Sequence, residues 1–171
     1  LHPDWVEVDL WCFEAAVERD DLQSLERAAN IYKGHLLEGF EPPESVFEDW
    51  LSHEREWLRR RALETLWRLW ICQRDSKAYA TALATANRYL TLDPLCEWMH
   101  AEVMRTHLAR GHRTAAVRHY QTASDALAKD LGVEPGPDLT DLADAACNGG
   151  ARIDRRNNGP RGRAGLCVGC A

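Results

Sequence analysis

What this chain lacks narrows its chemistry first. No apolar run approaches roughly eighteen residues, so no stretch reads as a membrane-spanning helix. The opening Leu1-His2-Pro3-Asp4-Trp5 has no basic stretch and no apolar stretch of the kind that directs secretion. It also lacks an initiating Met, which predicts a fragment or a processed chain. Phosphate-cradling loops are missing: Gly132, Gly136, Gly149 and Gly150 fit neither a dinucleotide nor a P-loop spacing. HExxH and the GxSxG elbow are absent as well, which excludes their zinc-protease and serine-hydrolase chemistries. His53-Glu54, with Glu48 and Asp49 nearby, reads as the wet side of a helix rather than an acid–base pair. The chain is predicted not to be an enzyme and to use no cofactor.

Positive charge is also scarce where a nucleic-acid binder would need it. Residues 1–50 hold 13 acids against 3 bases, and residues 51–147 hold 13 of each. Only residues 148–171 are basic, with 5 Arg and one Asp. A duplex-binding domain presents a clustered basic face, and none is visible here. Of the six cysteines, Cys12, Cys72 and Cys96 sit inside apolar helical patterns, where a thiol packs as a small hydrophobe. With no secretion signal, they predict a reducing, cytoplasmic setting rather than a disulfide framework.

What is present is helical periodicity. Trp5-Val6-Glu7-Val8 is a short lead-in over 1–8, and Asp9 is a candidate cap. Leu10, Phe13, Ala16 and Val17 then share one helical face. Asp21 is placed to cap a second helix through Leu22, Leu25, Ala28, Ala29 and Tyr32. Gly34, Gly39 and the Pro42-Pro43 pair predict a loop, whose Leu36, Leu37 and Phe40 are expected to plug onto the body. A long amphipathic helix follows, from about Glu44 to Arg74. Further helices are predicted over 77–92, 95–110, 114–131 and 138–147, punctuated by Asp93-Pro94, Gly111 and Gly132. Residues 148–171 read as a disordered Gly/Arg-rich tail, with too little apolar content to offset chain entropy.

Two of these helices repeat. Ala82-Leu83 and Ala116-Val117 lie 34 residues apart. That is the tetratricopeptide period, two antiparallel helices per unit. The predicted fold is therefore an all-α, tetratricopeptide-like helical repeat array of about seven helices over 9–147. Such arrays bury their core between neighbouring repeats and bind partner segments. The small Ala82 and Ala116 are expected where helices approach closely.

Four ordered stretches carry a family resemblance. They are Val8-Asp9-Leu10-Trp11-Cys12-Phe13-Glu14, Phe47-Glu48-Asp49-Trp50 through Arg59-Arg60, Leu92-Asp93-Pro94-Leu95-Cys96-Glu97, and Arg110-Gly111-His112-Arg113 through Tyr120-Gln121 with Leu131-Gly132-Val133-Glu134-Pro135-Gly136-Pro137. Over about residues 5–145 the chain resembles the bacterial transcriptional activator domain of Streptomyces antibiotic regulatory protein-type regulators. The resemblance implies a regulatory role through protein contact: self-association, RNA polymerase, or a neighbouring regulatory domain. In that family DNA is read by a winged helix that precedes the module, and the matching residues open almost at Leu1. DNA binding is accordingly not carried over. The alternative is a general tetratricopeptide-like scaffold or signalling accessory domain with no link to transcription.

Candidate site residues follow from the same reading. Trp50, Trp57, Trp67 and Trp70 crowd the long helix, while Trp5, Trp11 and Trp98 lie elsewhere. Three or four are expected in the core, and the rest at a contact rim, since tryptophan serves both places. Trp57 and Trp98 are the candidate contact residues. Arg59 and Arg60, within the triplet that Arg61 completes, are candidates for a partner's acidic group. Metal binding is the weakest reading. Cys96 and His100 stand one helical turn apart, but the four ligands of a closed site are not assembled, and Cys96 buried beside a partly exposed His100 is expected instead. Cys167-Val168-Gly169-Cys170 is half a zinc site at most and reads as incidental.

Overall fold

The computed structural model describes residues 8–19, 21–40 and 45–148. Residues 1–7 of the predicted lead-in over 1–8 and 149–171 of the predicted tail over 148–171, with the Cys167 and Cys170 pair, lie outside the described residues. Within them the chain is all-α, seven helices and no strand, as expected of a tetratricopeptide-like array. It divides into two compact units, one ending at Ala78 and the next starting at Tyr79.

The first unit holds α1 (Asp9–Arg19), α2 (Leu22–Ile31) and α3 (Ser45–Asp75). Helix α1 packs on α2, and α2 on α3. The predicted apolar face of α1 is buried through Phe13, Ala16 and Val17, and that of α2 through Leu25, Ala28 and Ala29. Asp21 caps α2 as predicted: its Oδ1 accepts the Ser24 N–H at 2.8 Å, and its Oδ2 the Ser24 hydroxyl at 2.7 Å. Together these satisfy a donor that the first turn of a helix leaves orphaned. On α3 the buried side runs through Leu51, Leu58, Ala62, Thr65, Leu66 and Leu69. Spacings of three, four and seven residues keep this row on one stripe.

The loop before α3 corrects one expectation. Leu37 and Phe40 do not plug onto the body; they are 50% and 45% exposed. The loop is held by its backbone instead. Arg55 of α3 donates from Nε to the Leu36 carbonyl at 2.8 Å and from Nη2 to the Leu37 carbonyl at 2.6 Å. A planar fork of N–H donors satisfies several carbonyls at once, which a short loop lacking its own ladder requires.

The second unit holds α4 (Tyr79–Leu92), α5 (Glu97–Ala109), α6 (Arg113–Leu131) and α7 (Pro137–Asn148). Helix α5 packs against α4, α6 and α7, and α6 against α7. That central position explains why Met99, His100, Ala101, Val103, Met104 and Thr106 are all buried on one short helix. The repeat register holds: Ala82 on α4 and Ala116 on α6 are 1% and 0% exposed. Around Ala116 the core comprises Met104, Ala123, Leu127, Leu139 and Leu142.

The helix ends follow from their residues. At the end of α5, Gly111 takes φ +75, its N–H reaches the Leu108 carbonyl at 2.9 Å, and the His112 N–H reaches the His107 carbonyl at 2.8 Å. This paired pattern is a Schellman stop, which needs a left-handed residue. Gly132, at φ +68, ends α6 in the same region of backbone space. The segment then turns through Pro135 to Gly136, whose N–H donates to Glu97 Oε2 at 2.6 Å, fastening the turn to the start of α5. Pro137 opens α7, where its missing N–H costs nothing.

Candidate functional site

An aromatic row stands off the core of α3. Taking Leu51 as the centre of the buried stripe and about 100° per residue, Trp50 and Trp57 fall on its flank, one above the other at a seven-residue spacing. They are 49% and 38% exposed. Phe47, one turn earlier, stacks on Trp50 with ring centroids 5.2 Å apart, and Phe40 meets Phe47 edge-on at 6.1 Å. At the other end Arg61 lays its guanidinium over the Trp57 ring at 5.7 Å. Phe40, Phe47 and Trp50 thus make one exposed strip, and Trp57 lies about 10 Å further along the same flank under the Arg61 cation. Isolated exposed apolar side chains are ordinary; a contiguous strip of aromatics marks a contact surface.

Charge around the strip is arranged in two groups. Glu56 takes the Arg59 guanidinium at 3.6 Å and Arg60 at 3.5 Å, so these two arginines share one carboxylate. Arg61 is placed differently. Its Nε is buried and finds no hydrogen-bond acceptor, and no carboxylate pairs with it among the described residues. Glu54, half-buried on the same flank, has no ion pair there either.

The predicted site residues separate accordingly. Trp57, Arg59 and Arg60 are all on α3, with Trp57 exposed, but Arg60 points about 60° from Trp57 and Arg59 about 160° from it, toward the loop before α3. Trp98 belongs to α5 in the other unit, half-buried, its ring meeting Tyr89 at 5.4 Å and 67°. It serves the α4–α5 packing. Among the described tryptophans only Trp70 is fully buried, at 1%. Trp67 stacks beside it at 5.3 Å, while Trp11 is 58% exposed on α1. Trp50, Phe47 and Arg61 were not singled out from sequence; the angle of each from Leu51 is the signal that locates them.

The histidines of the second unit also need correcting. His100 is not partly exposed but 4% exposed. Its Nε2 lies 2.9 Å from the Pro94 carbonyl and its Nδ1 2.9 Å from His119 Nε2. A carbonyl only accepts, so His100 carries its proton on Nε2, and its bare Nδ1 accepts the His119 Nε2–H. Burial holds the His100 imidazole below its ordinary range, against the opposing pull of the Pro94 bond, Glu97 and Asp93. Burial, then His100 and His107, push His119 down to about 4. Both rings are neutral packing groups at neutral pH. Burial likewise pushes the Cys96 thiol up to about 11, so it is no nucleophile. Among the described residues no three His, Cys, Asp or Glu side chains are grouped to hold a metal ion. No helix there is long and apolar enough to cross a membrane.

A helical-repeat domain with an exposed aromatic strip is the class these features define. The family described as "Bacterial transcriptional activator domain" matches residues 8–146. The chain belongs to that family, and is thereby a module of transcriptional regulation. No curated protein and no solved structure matches it.

Proposed function

We propose that this chain is a non-enzymatic protein-contact module of a bacterial transcriptional regulator, acting in the cytoplasm. The observation that carries the reading is the strip Phe47, Trp50 and Trp57 on α3. It exposes amphipathic aromatics of the type enriched at interface hot spots, on a rigid helix that loses little entropy when a partner docks. Family membership supports the link to transcription. Trp57 is the central anchor, Arg61 orients an acidic group of the partner, and Arg59 and Arg60 form the rim. A protein partner is favoured over DNA because the described residues present no basic face, and Glu56 already takes up two of the arginines beside the strip.

Tethering tests this reading. The chain is fused to an unrelated DNA-binding domain and directed to a site upstream of a weak promoter. Transcription should change several-fold over the DNA-binding domain alone, and Trp50→Ala with Trp57→Ala should abolish the change. A fusion that folds but leaves transcription unaltered refutes the proposal.

A further inference from the structure

We infer that the cleft between α1 and α2 is a separate binding surface, which takes an acidic segment of another protein carrying one large apolar side chain. It shares no residue with the α3 strip and does not rest on it. Helix α1 carries two stripes. Phe13, Ala16 and Val17 go into the core. Val8, Trp11, Cys12, Ala15 and Arg19 recur at spacings of three and four residues along a second face. A helix that has met its core on one stripe ordinarily turns polar side chains outward. This one turns out the Trp11 indole, 58% exposed, with Ala15 exposed one turn on. Ser24 and Arg27 of α2 form the opposite wall, and the cleft between holds about 300 Å³.

Charge identifies the occupant. Residues 1–50 contain three basic side chains, Arg19, Arg27 and Lys33, against 13 acids. Two of the three line this one cleft. The acids close by in sequence do not line it. Asp21 gives both oxygens to Ser24 in capping α2, and Glu14 and Glu18 fall on the far side of Trp11. A carboxylate in the cleft therefore meets two guanidiniums, whose planar forks match it, while Trp11 packs the apolar side chain beside it. A nucleic-acid backbone fits less well, because an extended polyanion would also run over the surrounding acids. The volume points to a segment of chain rather than a free metabolite. It stands at the small end of ligand sites, enough for one or two side chains. Val8 to Arg19 spans about 16 Å at 1.5 Å per residue, which about five residues of extended chain cover.

Fluorescence anisotropy of dye-labelled peptides of about ten residues, added to the full chain, tests it. One peptide sets a Leu among Asp and Glu residues, a second replaces the acids by Asn and Gln, and a third by Lys. The acidic peptide should bind with a Kd of about 10–100 μM, the neutral one about tenfold more weakly, and the Lys peptide not at all. Trp11→Ala should weaken the acidic peptide about tenfold, as loss of a hot-spot aromatic does. Arg19→Glu with Arg27→Glu should abolish that binding and take up the Lys peptide instead. These three side chains are exposed, so the variants keep their core, and a gained ligand cannot come from simple loss of fold. Arg118→Glu, a reversal on exposed α6 surface, should change neither affinity. Bound acidic peptide should also slow alkylation of Cys12, in the cleft wall, and leave that of exposed Cys147 unchanged. No binding of the acidic peptide at about 1 mM overturns the inference. So does binding that survives Trp11→Ala and the double reversal, an equal loss in Arg118→Glu, or a DNA duplex that displaces the peptide at equal concentration.

Discussion

Acid should loosen the second unit through one ring. His119 is partly buried, donates to His100, and is held down to about 4 from an ordinary 6.5. Its folded value is depressed, so the unfolded chain binds the proton more readily. Stability from this group is fully present above pH 6.5 and is lost as pH falls from there toward about 4. At 1.36 kcal/mol per unit the whole difference is on the order of 3 kcal/mol. The ring keeps some contact with solvent, and halving for screening leaves about 1.5–2 kcal/mol. The groups around the pair act in opposite senses: Asp93 and Glu97 favour charge on His100, while His107 disfavours it on His119. His119→Gln separates this ring from ordinary acid effects. A Gln amide nitrogen reaches roughly where Nε2 sits, keeps a donor for His100 Nδ1, and cannot titrate. Urea unfolding is followed by circular dichroism at intervals from pH 7 to pH 4. The wild type should lose about 1.5–2 kcal/mol more than His119→Gln across that range, chiefly below pH 6.5. Parallel losses in the two proteins would refute the neutral, buried pair.

Two packing predictions stand beside the tethering test. Ala116, fully buried among Met104, Ala123 and Leu127, leaves no room for a larger side chain, so Ala116→Trp should cost about 1–3 kcal/mol in the same urea experiment, and an unchanged midpoint would break the repeat register. Glu97→Ala removes the acceptor of the Gly136 N–H and should cost about 1–2 kcal/mol, with faster hydrogen exchange at Gly136; exchange that stays slow would show that the turn is held otherwise.

Local signals carried most of the fold. The apolar spacing in α1 and α2, the Asp21 cap and the Gly111 and Gly132 stops each depend on residues within a turn or two, and each appears as read. The start of α4 sits two residues later than expected and α5 one to two, as fraying ends allow. What failed depends on distant partners. The burial of His100 requires His119, 19 residues on, to supply a donor. Without it, a polar ring on an apolar face reads as half wet. The loop over 33–40 looked apolar enough to plug, yet Arg55 holds it by its carbonyls from 18 and 19 residues away. The site was legible in part. Trp57 is exposed on α3, whereas Trp98 is half-buried with its ring against Tyr89, a contact between residues on two helices that the spacing of one helix does not show.

Of the stretches that reveal the family, the one on α3 carries the proposed contact residues Phe47, Trp50 and Trp57, and another serves the scaffold. The Leu131-to-Pro137 motif reads physically as a joint. Gly132 stops α6, Pro135 and Gly136 turn the chain, Gly136 is fastened to Glu97, and Pro137 starts α7 so that Leu139, Leu142 and Ala146 enter the core. Gly132, Gly136 and Pro137 are consumed in holding α5, α6 and α7 together, while Leu131, Val133 and Glu134 are exposed. A joint of this kind specifies a scaffold and says little about a partner. Partner choice has to come from side chains that the scaffold does not consume. On α3 those are Trp50, Glu54, Trp57 and Arg61, all on one flank, where a partner would meet aromatic faces beside one acid and one base, and opposed charges give specificity more than affinity.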